Sequence, residues 1–166
     1  LVYRMGFERF LDRALEVGID GATVPDLPVE EAERFIPMAR ERGFHLVCFV
    51  TPATRESRRE MVAEHAGGFI YYISVCGITG ERTALPTDLT DNLSELRAIT
   101  DVPVAVGFGI SAPEQAHAVG EVADGVIVGS AIVKRMHAAA IGESNEDPAG
   151  AALEFIKEMA SAAKGG

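Results

Sequence analysis

The chain has 166 residues, of which 48% are hydrophobic and 24% charged, so its size and composition fit one soluble globular domain. Its formal charge of −10, with no basic cluster, argues against nucleic acid or an anionic membrane as the main partner. The sequence has no apolar run near the roughly 20 residues that a membrane span needs and no signal-peptide pattern at its start, so we expect a cytoplasmic protein.

The first elements alternate between helical and strand periodicity. Apolar residues at helical spacing from Phe7 to Leu15 predict a helix that Gly18 ends. Residues 20–25 form a short apolar run suited to a strand buried on both faces. A helix over residues 29–42 follows, acidic at its start and basic at its end, and Pro37 predicts a kink or break within it.

The same cycle then repeats four times. Further strands are predicted at 45–50, 69–74, 102–107 and 125–129, and further helices at 54–66, 90–100, 112–119, 130–139 and 149–163. Strands alternating with helices indicate right-handed βαβ units and an α/β fold with a parallel sheet. An eight-stranded barrel typically needs about 250 residues, so five strands would form part of one. An open doubly wound sheet is the alternative, because five strands could complete it.

Glycines follow three of the predicted strands, where parallel-sheet proteins bind ligands. They lie in the segments 77–80, 107–111 and 129–130, and the last two lead directly into helices. Glycine lets the backbone approach an anion, and the N–H groups of a helix N-terminus complete an anion site. Each junction alone could be a tight turn, but two successive junctions near the C-terminal end favour a phosphate site. A bulky residue at Gly109 should therefore block phosphate.

Several single residues have two interpretations each. Asp26 either caps the helix that follows it or contributes a polar group to a site. Tyr71 either lines a pocket or packs in the core. The loop 75–89 has the composition of a mobile lid, in which Arg82 either approaches an anion or stays in water.

Nucleotide and metal motifs are missing from the sequence. Neither G-x-G-x-x-G before a helix nor G-x-x-x-x-G-K-[ST] occurs. The four histidines fall in separate units, so we expect no metal site. Cys48 and Cys76 are expected to be free thiols, because two cysteines do not make a disulfide framework in a chain of this size.

Six short segments together resemble the tryptophan synthase α chain family, in order and at compatible spacing. They are VPDLPVEE (24–31), YYIS (71–74), GITG (77–80), RTALP (82–86), GFGIS (107–111) and GSAIV (129–133). The resemblance extends from Tyr3 to about Met136 and implies a (β/α)8 TIM barrel, of which residues 1–166 would hold about the last five βα units as one partial domain. The start at Leu1, rather than Met, suggests a fragment.

The resemblance also implies a function. The family is a lyase of tryptophan biosynthesis that cleaves indole-3-glycerol phosphate to indole and glyceraldehyde 3-phosphate, and indole passes to a β chain that carries PLP. No cofactor is then expected in this chain, and Pro28 would lie at the interface with the β chain. The phosphate would be held by Gly80, Phe108, Gly109, Gly129 and Ser130, and the substrate pocket would be lined by Thr23, Phe49, Tyr71, Phe108 and Ile127, with Thr79 in the closing loop.

The family's two catalytic carboxylates, a Glu and an Asp near its second strand, match no position of this sequence. General acid-base catalysis needs such groups at the reacting atoms, so we name no catalytic residue here and expect the fragment alone to be inactive. One alternative is a non-catalytic half-barrel that binds a phosphate ester and pairs with another chain, or with itself, through open sheet edges. Another is a different phosphate-binding barrel, against which the segments GITG and RTALP argue.

Overall fold

A computed structural model of the chain describes residues 2–74, 88–107, 109–143 and 147–165. They form two compact units, each described by itself below: Leu1–Tyr71 with Glu95–Pro103, and Tyr72–Ser94 with Val104–Gly166. Whether residues 1–166 act as one domain stays a prediction. In chain order the elements are α1 (Val2–Met5), α2 (Phe7–Glu16), β1 (Gly21–Thr23), α3 (Val29–Ala32), α4 (Ile36–Glu41), β2 (His45–Val50), α5 (Glu56–His65), β3 (Ile70–Ile73), α6 (Leu89–Arg97), β4 (Val104–Gly107), α7 (Pro113–Gly120), β5 (Gly125–Ile127), α8 (Ser130–Ala140) and α9 (Pro148–Ala163).

The strands follow one another in space in their chain order, β1-β2-β3-β4-β5. β1 pairs parallel with β2, with Ala22 opposite Leu46, and β4 pairs parallel with β5, with Val106 opposite Val126. An open doubly wound sheet reverses its strand order at a switch point, and this sheet has no reversal. The doubly wound alternative is therefore wrong.

The core of the first unit lies between its helices and the sheet. Phe7 and Leu11 of α2 pack with Ile36 of α4, with Phe44 just before β2 and with Leu46 of β2, and all five are buried. The face of α2 that carries them is the apolar face predicted from the sequence, and the helix stops before Gly18, whose φ of 80° suits glycine. Helix α1 was not among the elements predicted from the sequence.

The predicted break near Pro37 is confirmed. α3 ends at Ala32, residues 33–35 form a turn, and α4 begins at Ile36, so Pro37 lies in the first turn of the second helix. Proline has no N–H and fixes φ, which the first turn of a helix tolerates and its interior does not. One predicted helix is thus two short ones.

Burial alternates along β2 and β3. Leu46, Cys48 and Val50 are buried, and the residues between them, such as Phe49, are half-buried. In β3, Tyr72 is buried and Tyr71 half-buried.

The prediction that the first strand is buried on both faces is wrong, because β1 is half-buried at its first two residues and exposed at its last. Among the described residues, only the face of the strands that packs against the helices is well buried.

The boundaries of the second unit's strands also differ from prediction. β4 begins at Val104 rather than residue 102, because the Val102 N–H donates to Thr100 Oγ1 at 3.2 Å and Pro103 has no N–H to donate. The Asp124 side chain then accepts from the Val104 N–H at 2.8 Å, which fixes the start of β4 beside β5. β5 ends at Ile127, two residues before the predicted end.

Candidate functional site

In the first unit, an aromatic side chain near the carboxyl end of β2 meets one from the neighbouring strand β3. The rings of Phe49 and Tyr71 lie 5.4 Å apart between centroids and are tilted by 36°. Both project from the half-buried face of their strands, because their neighbours along each strand are buried on the other face. Tyr71 is thus not fully enclosed in the core, and its ring is available to a flat apolar ligand. Thr23, at the end of β1, is exposed.

The loop after β2 is held in place by hydrogen bonds that sequence reasoning missed. Thr54 Oγ1 accepts from the Thr51 N–H at 2.9 Å. Arg59 of α5 donates to the carbonyl oxygens of Thr54 and Pro52, at 3.1 and 3.4 Å, and pairs with Glu95 at 2.6 Å. The only signal in the sequence was a pair of threonines three residues apart just after a strand, a spacing typical of a side-chain turn.

A cleft of about 580 Å³ lies beside this loop. Its lining includes Phe49, Thr51, Thr54 and the ion pair of Arg58 with Glu30, whose charged atoms are 3.2 Å apart. The cleft therefore combines an aromatic ring with hydroxyl and charged groups. None of the polar members was among the predicted site residues.

Asp26 and Pro28 lie in the turn between β1 and α3, and both are exposed. The N-cap position of α3 is Pro28, which has extended backbone angles, and no side chain caps this helix. The capping role considered for Asp26 is therefore wrong, because the helix begins at Val29, three residues beyond it. An interface role for Pro28 stays a prediction.

In the second unit, the end of β4 is fixed by Ser74. This buried serine donates its backbone N–H and its hydroxyl to the Gly107 carbonyl oxygen, both at 3.1 Å. Gly109 follows with a φ of 81°, a backbone conformation that residues with a side chain rarely adopt. A valine at Gly109 would strain the backbone whether or not phosphate binds there, so this position cannot test the phosphate site cleanly.

The N-termini of α7 and α8 differ in how they are capped. At α7, Gln115 Oε1 accepts from the N–H groups of Ser111 and Ala112, at 2.8 and 3.1 Å. At α8 the cap residue is Gly129, and no side chain caps it. A Cβ atom built on Gly129 would meet nothing within 4 Å among the described residues. The start of α8, with Ser130 as its first residue, is therefore the open one, and its N–H groups and dipole suit an anion.

The predicted site residues not yet described are Gly80, Phe108, Thr79 and Ile127. Gly80, Phe108 and Thr79 are outside the described residues, as are Arg82 and most of the proposed lid. Ile127 is half-buried at the end of β5.

The described residues hold neither a candidate metal cluster nor a candidate membrane span. Within the described ranges, no group of three or more His, Cys, Asp or Glu side chains could hold a metal ion. No helix in the part of the chain that the structure describes is long and apolar enough to cross a membrane. Cys48 is a free, buried thiol, and burial raises its pKa although the Arg40 guanidinium acts in the opposite direction.

Comparison with known proteins identifies the family. The profile of the tryptophan synthase alpha chain family matches residues 1–164. The chain belongs to the tryptophan synthase α chain family. The tryptophan synthase alpha chain of Rhodopirellula baltica is 53% identical over 136 residues, which cover 82% of this chain and 49% of that protein.

Solved structures of tryptophan synthase agree with this assignment. The alpha chain from Legionella pneumophila has a TM-score of 0.84 at 31% identity, covering 98% of this chain and 59% of that one. A chain of the tryptophan synthase complex from Pyrococcus furiosus has a TM-score of 0.75 at 33% identity, covering 95% and 60%. This chain thus spans about half to three fifths of the length of these relatives. The predicted fold class, part of a (β/α)8 TIM barrel, is confirmed.

Proposed function

We propose that this chain is the phosphate-binding part of a cytoplasmic tryptophan synthase α chain, a carbon-carbon lyase that cleaves indole-3-glycerol phosphate to indole and glyceraldehyde 3-phosphate. Its membership of the family supports the reaction class. The observation that carries the phosphate assignment is the N-terminus of α8, which follows β5 directly and has no side-chain cap. In TIM barrels the loops after the last strands are the usual phosphate site.

The overall charge of the chain opposes phosphate binding, so the site needs a local source of positive potential. The chain carries a formal charge of −10, so its overall field repels a phosphate dianion. Binding then depends on local donors, and the backbone of Gly129 and Ser130 with the Ser130 hydroxyl provides them at the positive end of the α8 dipole. Gly109, Gly80 and Phe108 complete the proposed set.

Indole is assigned to the aromatic pair. An indole ring can stack against Phe49 and Tyr71, whose tilted arrangement is one that aromatic rings favour. Thr23 is the last residue of β1 and Ile127 is the last residue of β5, and ligands of this fold class bind at the carboxyl ends of strands. Both are assigned to the indole pocket, and Thr79 is assigned to the closing loop.

Cleavage requires one group to protonate C3 of the indole and another to withdraw a proton from the glycerol hydroxyl. We assign both tasks to the Glu and Asp that the family draws from its second strand and the loop after it. Neither Thr79 nor Tyr71 can replace them, because a hydroxyl group does not supply the carboxylate that accepts a proton in general base catalysis. The chain alone should bind the phosphate product without forming indole.

The proposed partner is a tryptophan synthase β chain, which carries PLP in this family, so the α chain needs no cofactor of its own. Pro28, exposed at the start of α3, is the proposed contact residue. The similar chain from Pyrococcus furiosus belongs to a crystal structure of a tryptophan synthase complex, which supports such an assembly.

A binding experiment tests the phosphate site directly. Glyceraldehyde 3-phosphate is titrated into the 166-residue chain and into its S130A variant, and binding is followed by calorimetry or by ³¹P NMR. Loss of a hydrogen bond to a charged group costs about 1.5–3 kcal/mol, so the dissociation constant should rise roughly tenfold to a hundredfold.

The matched control is S161A, which removes an exposed hydroxyl from α9. It should bind the phosphate ester as the parent chain does. Equal affinity in the parent chain and S130A would remove Ser130 from the site, and absence of binding in the parent chain would overturn the phosphate assignment. Release of indole by the 166-residue chain would show that the acid-base groups lie within it.

A further inference from the structure

A second cleft, of about 220 Å³, lies in the first unit at the amino ends of β2 and β3. We call it the amino-edge cleft and define it by Arg40, Phe44, His45, Leu46, His65, Ala66 and the glycine pair 67–68. His45 is the first residue of β2, whereas Phe49 of the proposed indole site is near its last. The two sites are therefore at opposite ends of the same strand.

The floor of the amino-edge cleft is apolar. Phe44, Leu46 and Ala66 are buried, with exposed fractions of 1%, 6% and 5%. A cavity of about 150 Å³ with apolar walls is large enough to hold benzene, so a cleft of about 220 Å³ has room for a single ring and a small substituent. The volume of the cleft and its apolar floor together favour a small ligand with an apolar body.

The rim of the cleft is basic. Arg40, His45 and His65 line it, and no Asp or Glu of the described chain does. This is the reverse of the chain as a whole, which has 25 acidic residues against 15 Lys and Arg. Arg40 donates one N–H to the Glu64 carbonyl oxygen at 2.6 Å, and a guanidinium has five such donors in a planar fork that matches a carboxylate.

The glycine pair brings His45 into this rim. A Cβ atom built on Gly67 would lie 3.1 Å from His45 Nδ1, and one built on Gly68 would lie 3.3 Å from His45 Cβ. The imidazole thus lies against the turn that precedes β3, in space that a side chain would occupy. The Gly67 N–H also donates to the Leu46 carbonyl oxygen at 3.1 Å, which ties this turn to the floor of the cleft.

We propose that the amino-edge cleft binds a small monocarboxylate with an apolar body, whose ring contacts Phe44 and Leu46 while its carboxylate meets the rim of Arg40, His45 and His65. The proposal does not depend on the lyase assignment, because it uses none of the residues given a role there. A ligand of this size in an open cleft binds weakly, with a dissociation constant on the order of 1 mM.

Benzoate is the probe, and ¹H–¹⁵N NMR of the 166-residue chain is the measurement. The amide signals of Gly67 and Gly68 should shift with saturation on addition of benzoate. Benzyl alcohol, which keeps the ring and lacks the charge, and inorganic phosphate, which keeps the charge and lacks the ring, should each shift them less than a fifth as far. No shift with benzoate, or an equal shift with either control compound, overturns the proposal.

Two variants locate the binding site. R40Q and H65Q should each weaken benzoate binding by about fivefold or more, since each removes a charge or donor from the rim. R9Q, which removes an exposed arginine from α2, is the matched control and should bind as the parent chain does. Unchanged amide signals from Phe7 and Leu11, which lie in the core of the same unit, show that R40Q and H65Q are folded. Unchanged affinity in both R40Q and H65Q overturns the proposal.

Discussion

Gly120 ends α7 where this helix packs against the C-terminal end of α9, and its replacement by alanine tests that packing. A Cβ atom built on Gly120 would lie 2.3 Å from the Ala163 carbonyl oxygen and 3.0 Å from its carbonyl carbon. These are backbone atoms, so the contact can be relieved only by displacing one helix from the other. Overpacking costs about 1–3 kcal/mol, and the better helix propensity of alanine returns at most about 1 kcal/mol.

We therefore expect G120A to lower the free energy of unfolding by about 1–2 kcal/mol, or the midpoint of thermal unfolding by roughly 2–8 °C. Urea unfolding followed by far-UV circular dichroism measures the change. The control is S161A, which removes an exposed hydroxyl from α9 and leaves its backbone contacts unchanged. Its stability should stay within about 0.5 kcal/mol of the parent chain. Equal midpoints for G120A and S161A would refute the packing argument.

Four further outcomes are expected. R59A should lower the free energy of unfolding by about 1–3 kcal/mol in urea, because a nearly buried side chain loses its hydrogen bonds to the loop after β2. R58A should cost no more than about 1 kcal/mol, because the pair of Arg58 with Glu30 is half exposed. In a C76S background, alkylation of Cys48 should begin at higher pH in the folded chain than in urea, because burial raises the pKa of this thiol and leaves less thiolate; equal pH profiles would contradict this. Adding R40Q should move the profile of the folded chain to still higher pH, because the opposing charge is then lost.

Local sequence signals predicted most of the elements, because each depends on neighbours along the chain. The strand 45–50 was predicted to the residue, and the break before Pro37 followed from the missing N–H of proline. The order of the strands in the sheet could not be predicted from these local signals. Five βα units are compatible with both a barrel portion and a doubly wound sheet, and only the pairing of successive strands distinguishes them.

The candidate site shows the same limit. Glycines after strands indicated two helix N-termini of equal merit, at α7 and α8. The structure distinguishes them, because the Gln115 side chain accepts hydrogen bonds from the N–H groups at the start of α7. Arg59 was missed because nothing in its own segment indicates that its guanidinium reaches back to the loop before it. Contacts that long side chains make between elements depend on how those elements pack. The hydrophobic periodicity of the sequence does not predict such contacts.

The agreement between strand order and chain order has a consequence for biosynthesis. Each strand from β2 to β5 lies next to the strand that immediately precedes it in the sequence, so its pairing partner has already been made when it leaves the ribosome. Translation adds about 5–20 residues per second, whereas closing a short loop takes less than a microsecond. The sheet can therefore grow one unit at a time during synthesis, and no strand needs to wait for a distant segment before it pairs.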